Sequence, residues 1–264
     1  MKRVFALMLA LLMLLTLVAC SSNEDENEDD KTDMTVTSTD LIYRPAENPN
    51  NEAFYYEYIN IDEIRIVGYS SNATAMHAVI VPAQIDARNV TEIDTAAFKS
   101  CANITAVTLP DTVHSIAASA FYGCSEMVSV KLPAALTTIG DMAFADCAKL
   151  SSVTLPDAVE NLGVAAFQGC KALASVTLPA TLTKLPAKTF MDCKSLKTVT
   201  WTAEATEIGA FAFADCALLE NFAIAATVTE IGEYAFARCA KFTAPALADT
   251  VEVGENAFYG TIGA

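Results

Sequence analysis

The sequence is poor in imidazole, indole and positive charge. Its 264 residues include two histidines, His77 and His114, and a single tryptophan, Trp201. Histidine-based catalysis or metal binding therefore has very few geometries open to it. Sixteen Lys and Arg stand against 32 Asp and Glu, a formal net charge of −16. So acidic a chain repels a phosphate backbone, which excludes nucleic acid as an expected partner. Gly-rich phosphate loops, His-Glu-x-x-His motifs and triad-like arrangements are missing too. Acidic residues such as Asp141, Asp146 and Asp157 are scattered over different faces rather than paired. No enzymatic activity, cofactor or metal is expected. Apolar residues are abundant at 53%, too many for a chain disordered along most of its length.

The first 52 residues read as an address and a tether. Lys2 and Arg3 precede an apolar run from Phe5 to Ala19, interrupted only by Thr16. That run is short of the ~20 residues a membrane-spanning helix needs and suits a signal peptide. It ends in Leu17-Val18-Ala19-Cys20, which resembles a bacterial lipoprotein lipobox. The resemblance implies removal of residues 1–19 and a lipid on Cys20, the only expected contact with a membrane. Residues 20–52 form an acidic, flexible tether that begins Ser21-Ser22-Asn23-Glu24-Asp25-Glu26. Its like charges repel one another and cannot pack. A serine and acidic residues directly after the lipidated cysteine resemble the lipoprotein surface-export signal of Bacteroidetes-type bacteria. The expected location is accordingly the outer membrane, facing outward. Chain statistics give the tether a typical reach of roughly 30 Å and a ceiling near 110 Å.

The remainder repeats itself. Cysteines fall at 101, 124, 147, 170, 193, 216 and 239, every step being 23 residues. Phenylalanines keep the same step at 98, 121, 144, 167, 190, 213 and 236, and Phe258 follows one residue early. Ile93, Ile116, Ile139, Leu162, Leu185, Ile208 and Ile231 form a third column. Leu109, Leu132, Leu155, Leu178, Trp201, Ile224 and Leu247 form a fourth, with proline after its first four members. Such regularity marks a solenoid, in which each unit is too small to fold alone and buries its apolar faces against its neighbours. Within a unit, Leu150, Val153 and Leu155 have the alternation of a half-buried strand, ended by Pro156. Ala166, Phe167 and Cys170 have the i, i+3 spacing of a short helical or 3₁₀ turn on the opposite wall. The glycine after the isoleucine column is replaced by Asp94, Ala117 and Pro186. Proline cannot adopt positive φ, so this position is expected to be tight rather than left-handed.

These residues resemble the BspA-like leucine-rich repeats of bacterial surface proteins, which share the 23-residue unit, the Phe-x-x-Cys and the Leu-Pro strand end. The resemblance implies a β-rich repeat solenoid of the leucine-rich repeat type, with one short strand and short helical or 3₁₀ turns per repeat, over residues 90–264. Residues 53–89, with Ile64-Arg65-Ile66-Val67-Gly68-Tyr69 and Val79-Ile80-Val81-Pro82, look like the family's N-terminal hairpin and cap. Family members are described mainly as adhesins, which implies recognition rather than chemistry.

Departures from the repeat are informative. Trp201 replaces a strand leucine while Ala205 replaces the following valine. This reads as local repacking or, with the ring partly exposed, as a binding anchor. Pro245 at an inward strand position suits an edge strand, and residues 245–264 read as a worn C-terminal cap. The ladder cysteines read as small buried hydrophobes rather than redox centres. His77 and His114 read as solvated.

Outward strand positions should form two rows of small hydroxyls: Ser129/Lys131, Ser152/Thr154, Ser175/Thr177 and Thr198/Thr200, flanked by Ala106/Thr108 and Asn221/Ala223. These eight residues are the candidate binding face for an extracellular protein or glycan. The expected function is adhesion or capture by a lipid-anchored surface protein. A structural envelope scaffold and a glycan-binding accessory lipoprotein are the alternatives.

Overall fold

The computed structural model describes residues 42–45, 52–71, 76–201 and 204–263. The signal peptide, Cys20 and all of the tether except residues 42–45 and 52 lie outside them. An antiparallel pair, Glu52–Tyr58 with Glu63–Ser71, opens the fold, and Ile42–Pro45 joins its outer edge. Glu63–Ser71 then pairs in parallel with Arg88–Ile93, the first rung of a ladder that climbs through Ser115–Ile116, Thr138–Ile139 and Asn161–Leu162. The ladder resumes with Lys184–Leu185, Glu207–Ile208, Glu230–Ile231 and Glu252–Val253.

The interruption between Leu162 and Lys184 has a local cause. In other units the residue after the isoleucine column donates its N–H to the preceding unit: Gly140 to Ile116, Gly163 to Ile139 and Gly209 to Leu185, each at 2.8 Å. Pro186 occupies that position and has no N–H to give. The units also stand further apart here. Phe167 and Phe190 have centroids 5.7 Å apart, against 4.9 Å for Phe98 and Phe121. The glycines in this column are tight, as expected. None has positive φ, and a Cβ on Gly140 would stand 2.6 Å from the backbone nitrogen of Ala118.

The wall opposite the strands carries the core. Phe98, Phe121, Phe144, Phe167, Phe190, Phe213 and Phe236 are fully buried and stacked in one column. Tyr69 caps the column at one end, 5.0 Å from Phe98, and Phe258 closes it at the other, 5.3 Å from Phe236. Beside it runs the cysteine column. Cys124 to Cys239 are six free, buried thiols, and each donates to the carbonyl of a phenylalanine 26 residues earlier, as Cys147 does to Phe121 at 3.2 Å. Cys101 is not among the free thiols.

The backbone of this wall is a succession of i→i+3 turns rather than a continuous 3₁₀ helix. Tyr122 N–H bonds Ser119 and Cys124 N–H bonds Phe121, while the alternate residues Ser119, Phe121 and Gly123 donate across to Asp141, Ala143 and Ala145. Alternation of this kind requires two residues per unit in the left-handed region, for example Met142 at φ 52° and Asp146 at φ 56°. Each non-glycine there costs roughly 1–2 kcal/mol. The strain persists because it sends every second N–H of the turn to a carbonyl of the next unit.

Candidate functional site

The second set of strands presents the outward face. His77–Ile80, Ile104–Thr108 and Ser129–Lys131 form one parallel sheet, and Ser152–Thr154, Ser175–Leu178 and Thr198–Trp201 form another. Their inward residues Val153, Val176 and Val199 are buried, so the flanking side chains must stand in solvent. Register aligns Ser152 with Ser175 and Thr198, and Thr154 with Thr177 and Thr200. The two rows expected from the sequence are therefore present across three hydrogen-bonded strands. Ser129 and Lys131 sit on the neighbouring sheet, paired with Ala106 and Thr108. The structure thus brings six of the eight predicted face residues onto one sheet and puts Ser129 and Lys131 across a gap.

Seven of these residues are exposed and Thr198 is half-buried. Within the described residues none of the eight makes a side-chain hydrogen bond or ion pair. Several hydroxyls elsewhere on the solenoid bond a carbonyl of the preceding unit, while others, such as Ser115 and Thr138, have no side-chain bond among the described residues. Thr137 bonds His114 O at 3.0 Å, Thr181 bonds Val159 O at 2.7 Å and Thr227 bonds Ala205 O at 2.7 Å. Those hydroxyls tie one unit to the next, and the hydroxyls of the strand face are left over.

The gap between Lys131 and Ser152 opens a crevice of about 410 Å³, lined by Ser129, Lys131, Ser152 and Thr154 over an apolar floor of Val130, Leu132 and Val153. Val130 and Leu132 are only partly buried, unlike Val107 and Leu109 in the preceding unit. A second crevice, of about 540 Å³, lies where the other sheet ends. Only an isolated bridge joins Thr198 to Asn221, and Trp201, Glu220, Asn221 and Phe222 line the opening with Thr198 and Thr200. The Trp201 ring is partly exposed and fixed by its Nε1–H, which donates to Leu182 O at 2.8 Å. It lies nearly parallel to Phe222, with centroids 6.5 Å apart. Trp201 thus packs on the core, as the repacking reading expects, and its partly exposed ring also lines the crevice. Phe222, a phenylalanine in a column of valines, was the available signal for this second opening.

Three other expectations meet the structure here. His77 is half-buried rather than solvated, with its Nε2 2.9 Å from the Tyr69 hydroxyl. Residues 244–248, which include Pro245, form no strand, although Thr243 makes a bridge to Ile262. Six ladder cysteines are the buried thiols expected, and burial pushes the Cys124 thiol up to about 12 and holds Cys147, Cys193 and Cys216 well above the ordinary thiol range, whereas Cys101 is disulfide-bonded and departs from that expectation.

The sequence model of the BspA type leucine rich repeat region matches this chain in six copies, over residues 91–219 and 161–263. Among solved structures, a leucine-rich repeat protein from Bacteroides ovatus ATCC 8483 superimposes with a TM-score of 0.56 at 20% identity, covering 84% of this chain and 67% of that one. A leucine rich cell surface protein from Faecalibacterium prausnitzii A2-165 gives 0.52 at 27% identity, over 61% of this chain and 39% of that one. A leucine-rich repeat protein from Eubacterium ventriosum ATCC 27560 gives 0.53 at 21% identity, over 74% and 48%. Among curated proteins, none matches the sequence.

Proposed function

We propose, on the premise that this chain belongs to the BspA-type leucine-rich repeat family, that it is a lipid-anchored recognition protein of the bacterial surface. In this reading the strand face captures a protein partner. A leucine-rich repeat solenoid is typically a binding scaffold rather than an enzyme. The observation that carries the reading is the unpaired state of the hydroxyls on Ser152, Thr154, Ser175, Thr177 and Thr200. Thr137, Thr181 and Thr227 on the other walls each bond a carbonyl of the preceding unit instead. Side chains held rigidly on a packed sheet lose little freedom when a partner binds, which favours affinity. The anchor rests on the Leu-Val-Ala-Cys20 sequence, and surface display on the acidic residues that follow it. A similar protein, that of Faecalibacterium, is described as a cell surface protein.

Two experiments test it. Protease shaving of intact cells, with a periplasmic protein as control, should remove the solenoid while sparing the control. Protection of a solenoid that is cleavable when purified would overturn surface display and favour an internal envelope scaffold. A photo-crosslinking residue at Thr177 should trap a partner on intact cells. Replacing Ser152, Thr154 and Ser175 with Glu should abolish that adduct. An adduct that survives this substitution would rule the face out.

A further inference from the structure

The crevice at the end of the strand face has a chemistry unlike the rest of the face. Its wall holds an indole, a carboxylate, a primary amide and two hydroxyls within two neighbouring units: Trp201, Glu220, Asn221, Thr198 and Thr200. The indole is the molecule's only one, and its ring orientation is set by the bond to Leu182 O. Asn221 is exposed, and its side chain makes no hydrogen bond within the described residues. Glu220 keeps a single ion pair, with Lys241 Nζ at 3.1 Å. The crevice, of about 540 Å³, is shallow and open to solvent, so it offers a wall to a ligand rather than an enclosure.

We propose that this crevice is a subsite for one neutral sugar ring of a glycan. An aromatic face carries negative charge density and attracts the weakly positive C–H groups on the apolar face of a pyranose. A carboxylate and an amide at the ring edge supply acceptors and donors to adjacent hydroxyls, and charge-assisted bonds from a sugar hydroxyl to Glu220 are the stronger ones. The same composition argues against the alternatives. An anionic sugar or an acidic peptide would meet Glu220 on a chain of net charge −16, and an apolar helix would cover the Asn221 amide without giving it a partner. The inference deepens the recognition role proposed above but does not require the hydroxyl rows of residues 152–177 to bind anything.

Because Trp201 is the sole tryptophan, its emission reports on this crevice alone. Purified protein is titrated with laminarin, amylose, yeast mannan and galactan as neutral probes, and with polygalacturonate as the anionic one. At least one neutral polysaccharide should shift the emission and protect the indole from acrylamide quenching. Asn221→Ala and Glu220→Gln change exposed side chains and leave the core intact. Each should weaken that response roughly ten-fold, the size expected for one lost hydrogen bond to a partner. The variant with Ser152, Thr154 and Ser175 replaced by Glu should keep the full response, which separates failure of the strand face from failure of the subsite. No response to any neutral polysaccharide overturns the proposal. So does a response to polygalacturonate alone, or one that both Asn221→Ala and Glu220→Gln leave unchanged.

Discussion

The two walls of the solenoid share one 23-residue period and differ in how strictly they keep it. On the turn wall, from Ala96 to Arg238, every unit passes three N–H groups to the next, and the phenylalanine column runs without a break from Phe98 to Phe258. On the strand wall, two three-stranded sheets stand side by side, and the second gives way to one isolated bridge at Asn221. The first wall must satisfy buried donors and close-packed rings, so a departure there leaves an orphaned group or a void. The second has only its inward valines and leucines to satisfy. Its outer positions can vary, and where the units splay, crevices open. Stability therefore concentrates on one wall, and freedom to vary on the other.

The comparison can be broken by removing one member of the stacked column. Phe167→Ala should lower unfolding free energy by about 3–5 kcal/mol, read as a shift in urea midpoint. The same measurement on Thr177→Ala should move by less than about 0.5 kcal/mol. Similar losses for both would mean that the two walls are not energetically distinct.

A backbone contact between units should give the next largest effect. Gly140→Ala places a Cβ 2.6 Å from Ala118 N and should destabilise by about 1–3 kcal/mol, as overpacking does. A neutral result would show that the units slide apart here as readily as they do beside Pro186.

Alkaline titration sharpens the comparison further. Burial raises the pKa of the thiols on the turn wall, that of Cys124 from 9.0 to about 12. Between those values the unfolded chain has released the proton and the folded one still holds it. The stabilising contribution is therefore complete below pH 9 and is lost as pH rises through 12. Loss should approach about 1.4 kcal/mol per thiol per pH unit. Cys124→Val should flatten the fall in thermal midpoint between pH 9 and pH 11. An unchanged slope would mean that this thiol is accessible in the folded state.

The smallest effect belongs to the strand face. Replacing Ser152, Thr154 and Ser175 with Glu should leave the thermal midpoint nearly unchanged, within about 0.5 kcal/mol per substitution. A large drop would show that these hydroxyls help hold the fold, and would remove the reason for reading the face as a binding surface.

Much of this was legible from spacing. The columns at 98, 101 and 93 predicted what is buried, the column at 109 did so only at Leu109, Leu155 and Leu178, and the positions between them predicted the rows that Ser152, Ser175 and Thr198 form. Tightness at the glycine column followed from Pro186 in the same place. What spacing hid was neither random nor remote. Ser129 and Lys131 have the same local pattern as Ser152 and Thr154, yet no ladder joins them. Glu220 and Asn221 entered the crevice only because Phe222 and Trp201 meet at the sheet's end.

A strict period determines core, register and outward face, because every unit repeats the same short-range arrangement of apolar side chains and turns. Where a ladder opens is decided by how neighbouring units fit, through the volume of Phe222 in a valine column and the missing N–H of Pro186. Left-handed residues such as Met142 and Asp146 belong to the same category. Their conformations are unfavourable in isolation and exist only because the next unit accepts the hydrogen bonds they direct toward it.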